Sequence, residues 1–532
     1  MPVAENAGGR AGAEGDAPAR PGRRTVETEL KLFCDRKLLA ELAGGLRLAG
    51  YADTTGSDVD LTAIYYDTPG LTLFRLGAVL RVRTEGTQFV MTLKSMRRKA
   101  GSALERIERS ARVNSMAPDL AALAWMLPAE NFAQVKAAGL APVFRTEVRR
   151  HARTLDTPLG KVDIALDHGR IVAGEREEEI SEIELELVEG SNAALYQLAK
   201  ELALQAPLRP SVRSKAARGY ELAFSLAPGV PSPPRVKFGD GVTLDEALGA
   251  ILRSALQHLL ESQMAAEDGR DPEGMHQFRV ALRRLRSVLG LLRSIAPLRQ
   301  VDGFRADAKW LMSHLNEARM WDVFVTETVP SIAQDCAAVG GFDLLLAAAE
   351  EHRRRAHADA AAAIAALRTG RLQIGLGLWV EQGGWRSDVA RESAQILSLP
   401  AGDFAAGVLE KLRDKVLRRG RNFRQLSAEE RHRLRLALKQ LRYVADFFLP
   451  LFGKGKRVRH YGKTLARLQD RLGRSNDMAT MEELVQRLLK DSMPAAGVCA
   501  SSALLGWKAG SLSRGDPGLF AAWSEFLAAA LP

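Results

Sequence analysis

Between residues 25 and 190 apolar and polar side chains alternate every second position in run after run, and after residue 243 that alternation disappears. A period of two places successive side chains on opposite faces of a strand, so the first stretch predicts β structure. The runs are VETELKLF, AIYYDT, AVLRVRTE, QFVMTLKS, ALERIERSARV, VFRTEVRRHARTL, KVDIALD and ISEIELELVE. About eight strands are enough to close a barrel. Helical stretches fall between them at 37–48, 117–126 and 193–205. The Pro-rich APGVPSPPRV at 227–236 reads as a linker. Beyond it Ala, Leu and Arg recur at spacings of three and four, and a helix bundle is expected.

A chain of 532 residues is too long for one hydrophobic core. Residues 1–24 are rich in Gly, Ala and Pro and lack an apolar stretch, so a disordered tail is expected there and not a signal peptide. No run of about 18 uncharged apolar residues occurs, so no transmembrane helix is expected. Cys34, Cys336 and Cys499 are too scattered for a disulfide framework or a zinc pattern, which points to a reducing, cytoplasmic setting. The net charge of +11 is uneven. Residues 1–240 carry 33 basic and 31 acidic residues, and residues 241–532 carry 42 and 33. The segment 411–474 alone holds 20 basic and 5 acidic residues, which predicts a polyanionic partner.

The strands carry charge in register. Glu27, Glu29 and Lys31 share one face of VETELKL, as do Glu182, Glu184 and Glu186 of SEIELEL. Arg81 pairs with Arg83, Arg106 with Glu108, Arg145 with Arg149, and Asp163 and Asp167 flank IAL; Lys94 ends its strand. One such strand is an ordinary solvated face. Seven of them, with Arg-x-Arg beside Glu-x-Glu, are better explained by a closed barrel with a charged lumen. Carboxylates there can hold a divalent metal through hard oxygens, while Arg and Lys clamp phosphate.

This series, ending in SKAARGY at 214–220, resembles the CYTH family, also called triphosphate tunnel metalloenzymes, over roughly residues 25–224. The resemblance implies an eight-stranded antiparallel tunnel with flanking helices that cleaves triphosphate-containing substrates with Mg²⁺ or Mn²⁺. It makes Glu27, Glu29, Glu108, Asp163, Glu182 and Glu184 the metal-side carboxylates, with Glu186 an alternative in its ladder. It makes Lys31, Arg81, Arg83, Lys94, Arg106, Arg145 and Lys215 the triphosphate clamp, with Arg149 an alternative to Arg145. Lys31, Glu27 and Glu29 are the catalytic candidates. Lys31 serves as water activator only where neighbouring cations depress its pKa, and nearby carboxylates oppose that.

The helical half repeats itself. HQFRVALRRLRS at 276–287 and HRLRLALKQLRY at 432–443 agree at six of twelve positions. Each sets a His and three basic residues at 0, +3, +7 and +10, one helical stripe: His276, Arg279, Arg283 and Arg286, then His432, Arg435, Lys439 and Arg442. Like charges so spaced repel, so an anion is the natural compensation. A lone His per helix without Asp or Glu at i+3 or i+4 is a poor metal pattern. These motifs, with LNEARMWDV and LGRSNDM downstream, resemble the CHAD domain over about 240–525. That resemblance implies an all-α domain of two pseudo-symmetric four-helix bundles that binds inorganic polyphosphate. Arg319 and Asp322 fit its turn motif, while Asn316 and Met320 depart from it; Lys463 and Arg467 are further phosphate contacts.

The expected organisation is a tail at 1–24, a tunnel domain at 25–225, a linker at 226–240 and a helical domain at 241–525. The expected function is metal-dependent hydrolysis of inorganic triphosphate in the cytoplasm, at polyphosphate granules. Rivals are an adenylate cyclase of the class IV type, a thiamine triphosphatase and a non-enzymatic polyphosphate-binding adaptor. Nucleic acid is disfavoured, because base-stacking aromatics interleaved with the arginines of 411–474 are nearly absent, Phe423 and Tyr443 coming closest. No GxxxxGK[ST] loop supports a conventional NTPase.

Overall fold

The computed structural model describes residues 24–45, 51–53, 56–96, 104–293, 295, 299–387, 395–491, 493–514 and 517–531. The expected tail falls on residues outside these, apart from the backbone of Arg24. The strands are β1 (Arg24–Phe33), β2 (Ala52–Asp53), β3 (Ser57–Asp67), β4 (Ala78–Glu85), β5 (Gln88–Met96), β6 (Leu104–Val113), β7 (Ala141–Thr157), β8 (Gly160–Ala173), β9 (Arg176–Gly190) and β10 (Arg209–Ser211). Helices α1 (Arg36–Gly45), α2 (Thr72–Arg75), α3 (Leu120–Met126), α4 (Ala129–Ala138), α5 (Asn192–Gln205) and α6 (Lys215–Phe224) lie among or just after them.

All pairings are antiparallel, along the path β10-β1-β6-β5-β4-β3-β7-β8-β9, with β2 beside β7. The expected eight strands are thus corrected: nine lie along the path among the described residues. The additions are short, three residues in β10 and two in β2, so alternation cannot reveal them. β1 also pairs with β9, setting Lys31 opposite Glu184, so the sheet closes on itself.

Closure turns the usual inside-out logic around. On β9, Ile183 and Leu185 are fully buried on the outer face, against Leu195, Leu198 and Leu202 of α5. Each such side chain contributes about 1.5–3 kcal/mol by leaving water. Glu182, Glu184 and Glu186, one residue out of phase, take the other face. α3 and α4 cover Leu80, Val82 and Leu93 in the same way, with Leu123, Met126 and Val135. α6 packs instead on the inner face, its Ala216 and Tyr220 against Phe144 and Ile171, which share the parity of the lumen residues Thr146 and Asp167.

From Leu244 the described residues are helical: α7 (Leu244–Asp268), α8 (Pro272–Leu292), α9 (Arg299–His314), α10 (Asn316–Val323), α11 (Val329–Asp335), α12 (Phe342–Ala365), α13 (Leu367–Glu381), α14 (Ala401–Arg419), α15 (Ala428–Phe448), α16 (Lys456–Leu488), α17 (Ala495–Arg514) and α18 (Pro517–Ala528). Capping boxes start α7, at Thr243 and Glu246, and α15, at Ser427 and Glu430. Asp271 caps α8, and Pro272 sits in its first turn, where its missing N–H costs nothing. One apolar cluster runs through this half from Val236 to Ala529.

α13 crosses to the tunnel. Its Ile374 and Leu378 belong to the same buried cluster as Tyr196 and Leu198 of α5. Gly370 and Gly377 permit the approach: a Cβ at the first would meet the Leu208 carbonyl oxygen at 2.3 Å, and at the second the Tyr196 ring at 2.1 Å.

Candidate functional site

The closed sheet surrounds a cavity of about 230 Å³. Its walls follow from strand parity. β1 contributes Glu29 and Lys31, β4 Arg81 and Arg83, β5 Lys94, β6 Glu108, β7 Arg150, β8 Asp167, and β9 Glu184 and Glu186; α6 adds Lys215. Six cationic and five acidic side chains therefore meet in one lumen.

Most of the expected tunnel residues are brought together here, with stated exceptions. Arg145 and Arg149 point outward. Arg145 is exposed, its Nε donating to Glu147 at 2.8 Å, and Arg149 lies with Asp60 and His168 on the outer surface. Thr146, Val148 and Arg150 take the lumen side of β7, so Arg150 stands where Arg145 was expected. The Arg149–Arg150 doublet hides this, because parity alone does not say which of two adjacent arginines faces in. Thr146 and Val148, too small and neutral to need solvent, were the available signal. Asp163 shares the parity of Asp167 but is exposed and accepts from the Thr154 hydroxyl at 2.6 Å; Asp167, fully buried, lines the cavity. Glu182 stands behind the lining, bridging Lys215 and Arg218. The side chains of Glu27 and Arg106 lie outside the described residues; their backbones pair across β1 and β6.

The charges are tightly paired. Lys215 Nζ donates to Asp167 at 2.6 Å, Glu182 at 2.5 Å and Glu184 at 3.0 Å. Arg150 grips Asp167 through Nε at 2.7 Å and Nη2 at 2.6 Å, and Nη2 reaches Glu184 at 2.6 Å. Lys31 contacts Glu184, and Glu29 at 3.3 Å. Lys94 meets Glu108 at 2.5 Å.

Burial alone pulls the Lys31 pKa down, but Glu184, Glu29 and Glu182 outweigh it and hold the ammonium above its ordinary range. The same carboxylates thus favour the charged form of Lys31. Burial likewise opposes, and Glu182, Glu184 and Asp167 overcome, a rise at Lys215. Against burial, Lys215 and Lys31 drive Glu184 well below the carboxylate range, and Lys215 and Arg150 lower Asp167. Glu186 goes the other way, raised by burial and by Glu29, Asp163 and Glu184.

The carboxylate side suits a divalent cation by donor chemistry. Oxygens of Asp167, Glu182 and Glu184 lie within 4.8 Å of one another, and Glu29, Glu108 and Glu186 add hard oxygens along the same lumen.

The helical half holds a second concentration of charge. His276 and Arg279 of α8 feel the charge of Arg283 on the same helix and of Arg319 on α10. Burial, Arg319, Arg283 and Arg279 push the His276 imidazole down to about 4. Burial, Arg283 and Arg319 push Arg279 down to about 9. The buried Nε atoms of Arg279 and Arg283 find no hydrogen-bond partner among the described residues. Asn316, a departure from the expected turn motif, accepts from Arg279 Nη1 at 2.6 Å. Arg319 also contacts Glu327 at 3.3 Å, and Arg286 is half-buried. On the second stripe His432 is exposed, while Arg435, Lys439 and Arg442 are half-buried. Arg442 approaches Asp470 at 3.7 Å. Lys463 is exposed, and Arg467 is turned to Glu525 at 2.9 Å.

Comparison with known proteins agrees with this geometry. The CYTH domain family matches residues 26–220 and the CHAD domain family residues 250–486. An inorganic triphosphatase of Haemophilus influenzae is 32% identical over 197 residues, 37% of this chain and 54% of that protein. The chain thus spans about half the length of this curated relative. The crystal structure of the CHAD domain from the plant Ricinus communis is 30% identical, covering 57% of this chain and 98% of that one, with a TM-score of 0.49. PptA from Streptomyces chartreusis is 16% identical, covering 54% and 99%, with a TM-score of 0.37. The chain thus carries a CYTH domain at residues 26–220 and a CHAD domain at residues 250–486.

Proposed function

We propose that the tunnel hydrolyses inorganic triphosphate to pyrophosphate and phosphate, with Mg²⁺ or Mn²⁺ on its carboxylate side. The observation that carries this reading is the meeting of six cationic and five acidic side chains in one closed lumen. Triphosphate is a short chain of anionic oxygens, and phosphoryl transfer accumulates charge on them. Arg81, Arg83, Lys94 and Arg150 bind and orient the chain, and Lys31 stays protonated and adds its charge. Asp167, Glu182 and Glu184, with Glu29, Glu108 and Glu186 along the same lumen, offer the oxygens that hold the cation. When bound, that cation polarises a phosphoryl oxygen as a Lewis acid. Lys31, Asp167 and Glu182 are buried, which strengthens their charged contacts.

Size favours the inorganic substrate. The cavity of about 230 Å³ is smaller than the roughly 300–1,000 Å³ of pockets that take drug-sized organic ligands. The curated relative's triphosphatase activity supports the same reading. The cluster on α8 and α10 binds inorganic polyphosphate, because it gathers cationic groups with few carboxylates to neutralise them. On this reading the tunnel domain occupies 25–225 and the helical domain 241–525, built as two pseudo-symmetric bundles. No helix among the described residues is long and apolar enough to cross a membrane.

The test is phosphate release from inorganic triphosphate with Mg²⁺ or Mn²⁺, wild type beside Glu29→Gln. Strong release that the variant loses supports the tunnel as the active site. Cyclic nucleotide and pyrophosphate from ATP, with no release from triphosphate, would replace this reading with a cyclase. Silence on every triphosphate, with polyphosphate still bound, would leave a binding module.

A further inference from the structure

The three carboxylates best placed to share a cation already surround one. Asp167 on β8 and Glu182 and Glu184 on β9 bring oxygens within 4.8 Å of one another. The ammonium of Lys215 sits among them, at 2.6, 2.5 and 3.0 Å. Asp167 is fully buried and Lys215 nearly so, with 11% of its side chain exposed. Lys215 is also the first residue of α6, held there by the Ser214 cap, whose hydroxyl accepts from the Ala217 N–H at 3.1 Å. Its backbone is therefore fixed, while its four-carbon stem leaves the ammonium free to swing.

A divalent cation on this trio meets Lys215 as a direct competitor. Two cations within about 3 Å of the same oxygens repel strongly in a desolvated lumen. Lys215 must leave, and a buried ammonium cannot leave without another anion to receive it. The substrate is such an anion: Lys215 lines the same cavity as Arg81, Arg83 and Lys94.

We propose that Lys215 is an internal counter-ion that keeps Asp167, Glu182 and Glu184 from holding a divalent cation until triphosphate draws its ammonium away. The inference rests on the triphosphate reading of this lumen and adds an order to it. Metal and triphosphate then bind with positive coupling, each raising the affinity for the other by the same factor. A metal-free tunnel without substrate stays neutralised from within, and loose metal is not loaded idly. Arg150, which grips Asp167 and Glu184, and Lys31, on Glu184, make the same exchange to a lesser degree, because neither touches all three carboxylates.

The experiment is calorimetric titration of the full chain with Mn²⁺ alone, no phosphate present, for wild type, Lys215→Met and Lys215→Arg. Wild type and Lys215→Arg are expected to bind weakly, and Lys215→Met at least about tenfold more tightly, the lower end of what one neighbouring charge does to a buried site. Equal Mn²⁺ affinity in wild type and Lys215→Met overturns the proposal. So does tightening in Lys215→Arg as large as in Lys215→Met. Removing a buried cation can also weaken folding, so melting temperatures are read alongside. A Lys215→Met chain that melts early and recovers in Mn²⁺ supports the exchange, and one that Mn²⁺ neither binds nor stabilises overturns it. Phosphate release by wild type is assayed separately. If it is absent while Lys215→Met still tightens on Mn²⁺, the hydrolase reading fails and the counter-ion stands.

Discussion

Arg149 and Arg150 are chemically identical neighbours with opposite fates. One faces solvent, and the other spans Asp167 and Glu184 in the lumen. Arg150→Ala should therefore lower triphosphate turnover by roughly 10²–10³-fold, the loss typical of removing one preorganised contact to developing charge. Arg145→Ala, on the outer face, should stay within about twofold, as surface changes do. Steady-state kinetics on both variants decides it, and a reversed order would mean that the strand is read in the wrong phase. The same charges set a pH dependence. Glu184 and Asp167 titrate below their ordinary values of 4.5 and 3.8. A depressed carboxylate contributes stability that is present above its ordinary value and lost as pH falls through the lowered one. The melting temperature of the tunnel should hold from neutral pH to about 4.5 and fall steadily below it. Lys31 and Lys215, raised above 10.5, act at the other end: their contribution is complete below that value and is lost as pH climbs beyond it.

β9 shows what an element adds to its residues. Its glutamates can face a lumen only because Ile183 and Leu185 are buried on the other side by α5. Leu185→Ala should cost about 2–5 kcal/mol of stability, read by urea unfolding, as for other fully buried leucines. A loss near zero would mean that α5 does not seal this face. α8 makes the complementary point. Its stripe is marked in the sequence by spacing alone, and in the fold burial and neighbouring arginines take His276 from 6.5 to about 4. An imidazole depressed this way contributes stability above pH 6.5 that is lost as pH falls toward 4. A bound polyanion reverses the local field, so saturating polyphosphate should move the His276 titration upward by about 1 pH unit or more. Histidine proton resonances followed with pH would show it. An unmoved His276 in a chain that still binds polyphosphate would place the anion elsewhere, and the exposed His432 stripe would be next.

At the scale of the whole chain, α13 joins the CHAD region to the CYTH region. Ile374 and Leu378 complete a core that otherwise belongs to the tunnel domain. Arg209 of β10 pairs with Glu267 of α7, and Gln373 of α13 donates to Gln263 of α7 at 2.5 Å in full burial. β10 in turn pairs with β1, Ser211 opposite Lys31. The two regions are therefore expected to unfold together. Gly377→Ala drives a methyl group into the Tyr196 ring, an overpacking that should cost about 1–3 kcal/mol. Urea unfolding followed by fluorescence and by far-ultraviolet circular dichroism should then shift in step. A variant as stable as wild type, or two transitions that separate in the wild type, would count against a shared core.

The alternation from 25 to 190 and the helical spacing after 243 determined both element types, because the periods of two and 3.6 are properties of the local backbone. The charged faces also announced a lumen, since Glu-x-Glu and Arg-x-Arg strands have no apolar partner to bury against. Lys31, Arg81, Arg83, Lys94, Glu29, Glu108 and Glu184 were legible for that reason, and Lys215 only through the resemblance carried by SKAARGY; all of them line the cavity. Tertiary structure alone decided the rest. Which arginine of the 149–150 doublet turns inward depends on the register of β7 against β3 and β8. Whether Asp163 or Asp167 reaches the centre depends on depth along the barrel, which closure sets. The place of Lys215 among three carboxylates from two other strands, and the passage of α13 into the tunnel's core, are contacts between segments far apart in sequence. Periodicity is written within one turn of chain, whereas facing, depth and docking are settled only when distant segments meet.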